Sequence, residues 1–296
     1  MFGFLNINKP AGLTSHDVVY RVRRLTGKSV KVGHAGTLDP FATGVLVVCV
    51  GPATRLADYI QNSEKRYHAG ITLGTTSTTD DVEGELTLRN VAAPPSREAI
   101  KQACSMMVGE IQQIPPSHSA VHVDGQRAYK LARRGDTVEL TARTVRIDAI
   151  EVIDYDYPTL TLDICCGSGT YIRSIARDLG EALRTGGYCS ALERSAVGAF
   201  TVTDAKAPDD IALPDDLHPA KLAVTDWPKL AVPDSLLVDM NDGKALPLAE
   251  FDPLPEIPVD GTDIALFAAA GDLLALAVIT GDHVKPRKVF RASETD

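Results

Sequence analysis

Between residues 33 and 50 the chain passes from a twelve-residue loop, Gly33 to Gly44, directly into six consecutive apolar residues, Val45 to Val50. An uninterrupted apolar run of that length reads as a buried strand. The loop holds three glycines, two threonines, one histidine and one carboxylate, Asp39. Glycine permits positive φ and Asp-Pro is a common turn dipeptide, so a turn with an incidental acid is the commoner reading of such a stretch by itself. A basic, helix-like segment, Val18 to Lys31, precedes it. Asp39 therefore lies between a buried strand and a positive surface, a place where one acid can be presented to a polyanion.

The flanking pattern alternates helices and strands without a regular repeat. Thr14 and Ser15 cap a helix to Leu25, with Val18, Val19, Val22 and Leu25 on one stripe and Gly27 ending it. Ala53 to Gln61 reads as a short helix with Leu56 and Ile60 inward. Lys65 to Leu73 alternates as a strand, with Tyr67, Ala69, Ile71 and Leu73 on one face. Thr75 to Gly84 is polar and reads as a loop. Ser96 caps a helix to about Val108, with Ile100, Ala103, Cys104 and Met107 inward. Pro115-Pro116 breaks the chain, and the polar, basic stretch Ser117 to Thr144 has a short helix at Arg127 to Arg134. Val145 to Ile153 and Leu160 to Cys166 read as strands. Gly169 opens a helix to about Leu183, and Val197 to Val202 is a further strand. Pro208 to Pro219 is acidic, Pro-rich and linker-like. Short strands at Ile264 to Ala269 and Leu273 to Ile279 mark a small β-rich module. The mixture favours an α+β fold over a doubly wound sheet.

Composition narrows the class. A chain of 296 residues with 44% hydrophobic and 23% charged residues is of the soluble globular kind, with room for more than one domain. No apolar run approaches the roughly 20 residues of a membrane helix. The first residues lack the basic and apolar regions of a secretory signal. Five cysteines, none in a CxxC pair, read as buried free thiols in a reducing compartment and not as a zinc site. A cytoplasmic protein is expected. The net charge of −9 argues against a generic nucleic-acid binder, but from Thr225 onward 13 acids face 6 bases, which leaves the preceding part near neutral. That part carries two basic clusters, Arg21, Arg23, Arg24, Lys28 and Lys31, then Arg127, Lys130, Arg133, Arg134, Arg143 and Arg146. On charge alone, solvated faces and phosphate-binding patches read equally well.

A second constellation is Gly169-Thr170-Tyr171-Ile172-Arg173, where a glycine turn leads from a buried strand into a helix start, which attracts anions. Gly33 to Gly44, Lys65-Arg66-Tyr67 and Gly169 to Arg173, in this order, resemble the tRNA pseudouridine synthase B (TruB) family. Asn8-Lys9-Pro10-Ala11-Gly12-Leu13-Thr14-Ser15 and Leu192-Glu193-Arg194 fit as well, and the likeness extends from Phe4 to Val202. Ala268 to Phe290 is similar to the family's PUA-like C-terminal domain.

The resemblance implies a pseudouridine-synthase-like catalytic domain over residues 1–222, built on a mixed, largely antiparallel sheet flanked by helices. An RNA-clamping insertion at about 116–144 and a β-rich PUA-like domain over 223–296 complete it. The implied activity is isomerisation of a uridine in the T loop of tRNA (position 55) to pseudouridine, by a monomer needing no cofactor, metal, membrane or protein partner. By residue, the likeness makes Asp39 the essential aspartate and Tyr67 the residue that packs on the target base and accepts its C5 proton. Arg173 becomes the ion-pair partner of the aspartate. Tyr171 and Leu192 line the base pocket, His34 holds the flipped-out T loop, and Lys9 supports the loop architecture.

Because N1–C1′ breaks and C5–C1′ forms with no net redox change, side chains suffice for such a reaction. A carboxylate can attack C1′, attack C6 or remove the 2′ proton to give a glycal, and the three stay open. Other readings are a guide-RNA-dependent relative, a catalytically silent tRNA binder or chaperone, and an Asp-dependent hydrolase. The last lacks a second paired carboxylate near the motif.

Overall fold

In the computed structural model, which describes residues 1–117, 119, 122–123, 126–127, 140–251 and 259–290, the apolar run is an inner strand of a ten-stranded sheet. The chain begins with β1 (Gly3–Lys9), α1 (Ser15–Thr26), β2 (Val32–His34), β3 (Thr43–Val50), α2 (Ala57–Asn62) and β4 (Lys65–Leu73). A hairpin of β5 (Thr75–Ser77) with β6 (Leu86–Leu88), helix α3 (Arg97–Ser105) and strand β7 (Gly109–Gln113) follow. The two-residue strands β8 (His122–Val123) and β9 (Gln126–Arg127) pair with each other. Then come β10 (Arg143–Asp156), β11 (Thr159–Cys166), α4 (Ile172–Ala182), β12 (Gly187–Val197), β13 (Phe200–Thr201) and β14 (His218–Pro219). Last are β15 (Lys229–Ala231), α5 (Leu237–Asn241), β16 (Leu246–Pro247), β17 (Asp263–Phe267), β18 (Leu273–Thr280) and β19 (His283–Val289).

The large sheet runs β14-β1-β3-β12-β4-β11-β10-β7, with β2 on β3 and β13 on β12. Among the described residues of this sheet, only the β3–β12 strand pairing is parallel, so the α+β expectation of a mixed, largely antiparallel sheet holds. Both faces of β3 are covered. Leu46, Val48 and Val50 share a core with Val18, Val19 and Val22 of α1, Ile100 of α3, and Ile175 and Leu179 of α4. Val45, Val47 and Cys49 pack on the other side with Leu56, Ile60 and Phe200. That second layer also takes in Ala265, Phe267, Leu276 and Phe290, which come from or adjoin a five-stranded sheet, β15-β17-β18-β19-β16.

Local chemistry explains the ends of α1. Thr14 is its N-cap in a reciprocal capping box with Asp17, and Gly27 ends it at φ 84. Strand β4 spans the expected residues and buries Tyr67, Ala69, Ile71 and Leu73. All five cysteines are free and four are buried; burial pushes the Cys49 and Cys189 thiols up to about 12. Among the described residues no helix is long and apolar enough to cross a membrane.

Four readings change. The helix expected from Gly169 starts at Ile172, with Tyr171 as N-cap. The polar stretch from Thr75 to Gly84 is not simply a loop: it contains β5 and buries Asp81. The linker-like segment Pro208 to Pro219 instead packs on the first sheet: β14 pairs with the edge of β1, and Ile211 enters the core. An edge strand offers unpaired backbone groups, and this segment satisfies them. Strand β12 reaches from Gly187 to Val197, so the strand expected at Val197 to Val202 is only the tail of a much longer one plus β13. Beyond Arg127, which is in β9, the helix expected to Arg134 lies outside the described residues, as do Lys130 and Arg133.

Helix α4 meets the start of β12 through glycine. A Cβ on Gly180 would lie 2.3 Å from the backbone of Gly186 and of Gly187. In an ordinary helix interior Gly→Ala is worth about 1 kcal/mol of added stability. Here the facing atoms are backbone and cannot rotate away, so the sign reverses. Urea unfolding of Gly180→Ala is expected to show a loss of about 1–3 kcal/mol, and a gain would contradict this packing.

Candidate active site

The loop before β3 is tied down at nearly every residue around Asp39. Gly44, at φ +97, lets β3 pass β12: a Cβ there would sit 2.3 Å from the Arg194 carbonyl oxygen. Arg194, 2% exposed, donates to the carbonyls of Val45 at 2.8 Å, Gly36 at 3.1 Å and Thr37 at 3.3 Å. The Ser15 hydroxyl accepts from the Leu38 N–H at 2.9 Å and donates to the Leu38 carbonyl at 3.1 Å. The Pro40 carbonyl accepts from the Gly12 N–H and from Lys9 Nζ. Asp39 thus projects from a rigid arch. The close approach that glycine allows here is between backbones.

Arg173 meets the carboxylate from α4. Its Nε lies 2.9 Å from Asp39 Oδ2, and its Nη2 donates to Oδ1 at 3.1 Å. The same guanidinium, 4% exposed, donates through Nη1 to Asp81 Oδ2 at 2.9 Å and to the Thr79 carbonyl at 3.2 Å. Asp81 is 2% exposed, and its other oxygen accepts from the Thr79 hydroxyl and the Glu83 N–H. A second carboxylate therefore does lie beside the motif, contrary to the sequence reading. With both oxygens engaged and buried, it is not available to a substrate. Asp39 differs: its side chain keeps 32% exposure. Burial pushes the Asp39 carboxyl above the usual carboxylate range, and the Arg173 charge pulls against that shift.

Asp39 faces a cavity of about 520 Å³, whose lining includes Tyr67, Tyr171, Arg173, Leu192 and His16. Lys65 and Tyr67 point into it from one face of β4, whereas Arg66 turns to the other face and pairs with Asp163 at 2.7 Å. Burial raises the Tyr67 phenol above its usual range, with Arg194 opposing, so at neutral pH its ring is uncharged. Arg143 lays its guanidinium 4.8 Å over the Tyr171 ring. Lys65, also buried, donates to the Gln61 and Ser63 carbonyls, each at 2.6 Å, and burial lowers it to about 8.

Five of the seven residues singled out from sequence, Asp39, Tyr67, Tyr171, Arg173 and Leu192, converge on this cavity. Lys9 and His34 stand behind it. Lys9 is fully buried and donates to the carbonyls of Pro10, Leu13 and Pro40. It braces the arch and is not among the residues lining the cavity. His34 packs edge-on against His16 at 5.5 Å, and His16 is the ring that reaches the cavity. Sequence reasoning missed the tasks of Asp81, Arg194 and His16. The only signals were an acid pair in a polar run, a cation inside an apolar strand and a ring just after a helix cap.

The model of the TruB family pseudouridylate synthase (N terminal domain) matches residues 23–172. The tRNA pseudouridine synthase B of Arthrobacter sp. (strain FB24) is 42% identical, over 98% of this chain and 97% of its own length. That of Thermobifida fusca (strain YX) is 44% identical, over 98% and 99%. Among solved structures, a chain in an H/ACA RNP bound to a substrate RNA containing 2′-deoxyuridine superposes with a TM-score of 0.75. It is 25% identical, over 98% of this chain and 85% of its own.

His34 offers a check on this geometry. Burial, helped by the charges of His16 and Arg194, lowers its imidazole to about 4. An NMR titration is expected to find the ring neutral until the pH falls to about 4, and His16→Ala is expected to move the midpoint upward. A midpoint at the ordinary histidine value of about 6.5 would show that the ring is not buried as described.

Proposed function

The chain belongs to the TruB family of pseudouridylate synthases, and on that basis we propose that it isomerises uridine 55 in the T loop of tRNA, with Asp39 as the nucleophile. The observation that carries the reading is the Asp39 carboxylate, ion-paired to Arg173 on a hydrogen-bonded arch and opening onto a cavity walled by Tyr67, Tyr171 and Leu192. The cavity falls in the size range of small-ligand sites.

The residues divide the work as follows. A uridine stacked in its loop does not reach Asp39, so it must flip out, at a cost of a few kcal/mol. Stacking on an aromatic ring returns about 1–3 kcal/mol per base, and Tyr67 and Tyr171 supply the rings. The Arg173 charge favours the ionised form of Asp39 and opposes the shift that burial imposes. The carboxylate then acts at C1′, at C6 or on the 2′ proton, all of which need the ionised form. N1–C1′ breaks, the base turns within the cavity and C5 joins C1′; the C5 proton then passes to the Tyr67 oxygen as the neutral phenol gives up its own proton, and one proton is returned to N1, so that no net proton is gained or lost. His34 and Lys9 hold the arch that presents Asp39, and His34 also steadies the flipped T loop. No cofactor or metal is required.

The same reading extends to the whole chain. Residues 1–222 form the catalytic domain, the insertion at about 116–144 clamps the RNA, and residues 223–296 form a PUA-like domain. The passage from β14, in the large sheet, to β15, in the small one, supports a boundary near 222. We take the protein to be a cytoplasmic monomer acting without a protein partner. A guide-RNA-dependent enzyme is the second reading, favoured by the likeness to an H/ACA particle. Relatives that match over almost their whole length are named as tRNA enzymes and favour the first. The ion pair of Asp39 with Arg173 argues against a silent tRNA binder.

Tritium release from C5-labelled uridine in a T-arm hairpin tests the assignment. Wild type is expected to release label and Asp39→Asn to release none; release by both, or by neither, overturns it. The pH profile tests the ion pair. Because the carboxyl is raised, activity is present above its pKa and lost as pH falls through it, so the acidic limb should lie above the ordinary value of 3.8. Arg173→Ala removes the opposing charge and is expected to move that limb further up; an unmoved limb counts against the role given to Arg173.

A further inference from the structure

Helix α4 starts without a cap of its own. Tyr171, its N-cap, makes no side-chain bond to the first turn, and a helix start leaves backbone groups needing partners. A neighbouring strand provides a partner for one of them, the N–H of Tyr171 itself. Gln113, the last residue of β7 and fully buried, accepts from the Tyr171 N–H through Oε1 at 2.8 Å. Its Nε2 donates to the Tyr171 carbonyl at 3.1 Å. One planar amide thus closes two bonds onto the backbone of one residue and fixes the peptide planes on both sides of it. The adjoining Ile114 carbonyl accepts from the Ser174 hydroxyl and from Arg177 Nη2, each at 2.9 Å.

The position of Gln113 adds to this. It stands two residues before Pro115-Pro116, where the insertion begins. Across the β7–β10 pairing its register partner is Arg143, at the insertion's far end. Arg143 covers the Tyr171 ring and donates to the Gly169 carbonyl at 2.7 Å. Both ends of the insertion therefore close on Tyr171, two residues from Arg173.

We infer that Gln113 is a positioning residue for pseudouridine formation: its side-chain amide holds the Tyr171 ring in place against the target base. The inference rests on the function proposed for the cavity. It also explains the residue type. The task needs a donor and an acceptor in one plane at one length. Methionine has neither, and an ionised glutamate sets a second acceptor against the Tyr171 carbonyl. Gln113 touches no reacting atom, so its removal should slow the chemical step and spare RNA binding.

Single-turnover conversion of a saturating T-arm hairpin separates the two. Gln113→Met is expected to slow pseudouridine formation by about 10–100-fold, the scale of a displacement near 1 Å, with the hairpin Kd changed less than about 2-fold. In a Tyr171→Leu background, where the ring is gone, the same substitution is expected to cost less than about 3-fold, because residues acting through one another do not add. Should Gln113→Met fail to fold, Gln113→Glu, which keeps size and one bond, is expected to show the same rate-without-binding loss. Wild-type rates in the folded variant, a loss confined to Kd, or an undiminished loss in the Tyr171→Leu background would overturn the inference. A wild-type chain that forms no pseudouridine would remove the functional reading beneath it.

Discussion

Arg173 places one positive charge between two carboxylates that reach it from different parts of the chain, Asp39 from the arch before β3 and Asp81 from the turn after β5. Buried ions are tolerated only when paired and hydrogen-bonded. None of the three segments can move away without leaving a charge stranded, so the arch, the turn and the first turn of α4 have to come together. The cluster also sorts its two acids. Asp81 has a partner on each oxygen and almost no exposure, whereas Asp39 keeps an open side. Two chemically identical groups thereby become a buried brace and a carboxylate open to the cavity.

Arg194 completes the arrangement from the other direction. It grips the carbonyls of the arch while Arg173 grips its carboxylate. The approach is close enough only because Gly44 has no side chain where β3 meets β12. Orientation is settled during folding, so little reorganisation is left for the moment of reaction. This also reconciles an acidic chain with an anionic substrate. The cations that matter at the cavity, Arg173, Arg194, Lys65 and Arg143, are local, and the excess of acid is concentrated beyond residue 224.

Much of this was legible in the residues. The capping pair Thr14 and Asp17, the alternation of Lys65 to Leu73 and the apolar run Val45 to Val50 each form the element their pattern implies, because each pattern is local. Asp39, Tyr67, Tyr171, Arg173 and Leu192 were legible through motifs and do converge on one cavity. Strand β12 was read only at its end. Ser190, Glu193, Arg194 and Ser195 break its apolar pattern, and what buries Arg194 is a set of carbonyls some 150 positions earlier. The segment of 208–219 looked like a linker because its composition is polar, yet the open edge of β1 recruits it into the sheet.

The sequence by itself determined where the helices and most strands lie, that one aspartate stands on a constrained loop, and which family the motifs resemble. These follow from short-range patterns of apolar spacing, caps and turns. Only the tertiary structure decided which acid stays open and which is consumed, that Lys9 and His34 stand behind the cavity while His16 enters it, and that Gln113 holds the backbone of the N-cap residue Tyr171 from another strand. Each depends on burial and on hydrogen bonds between residues tens to more than a hundred positions apart, and no local pattern carries that information.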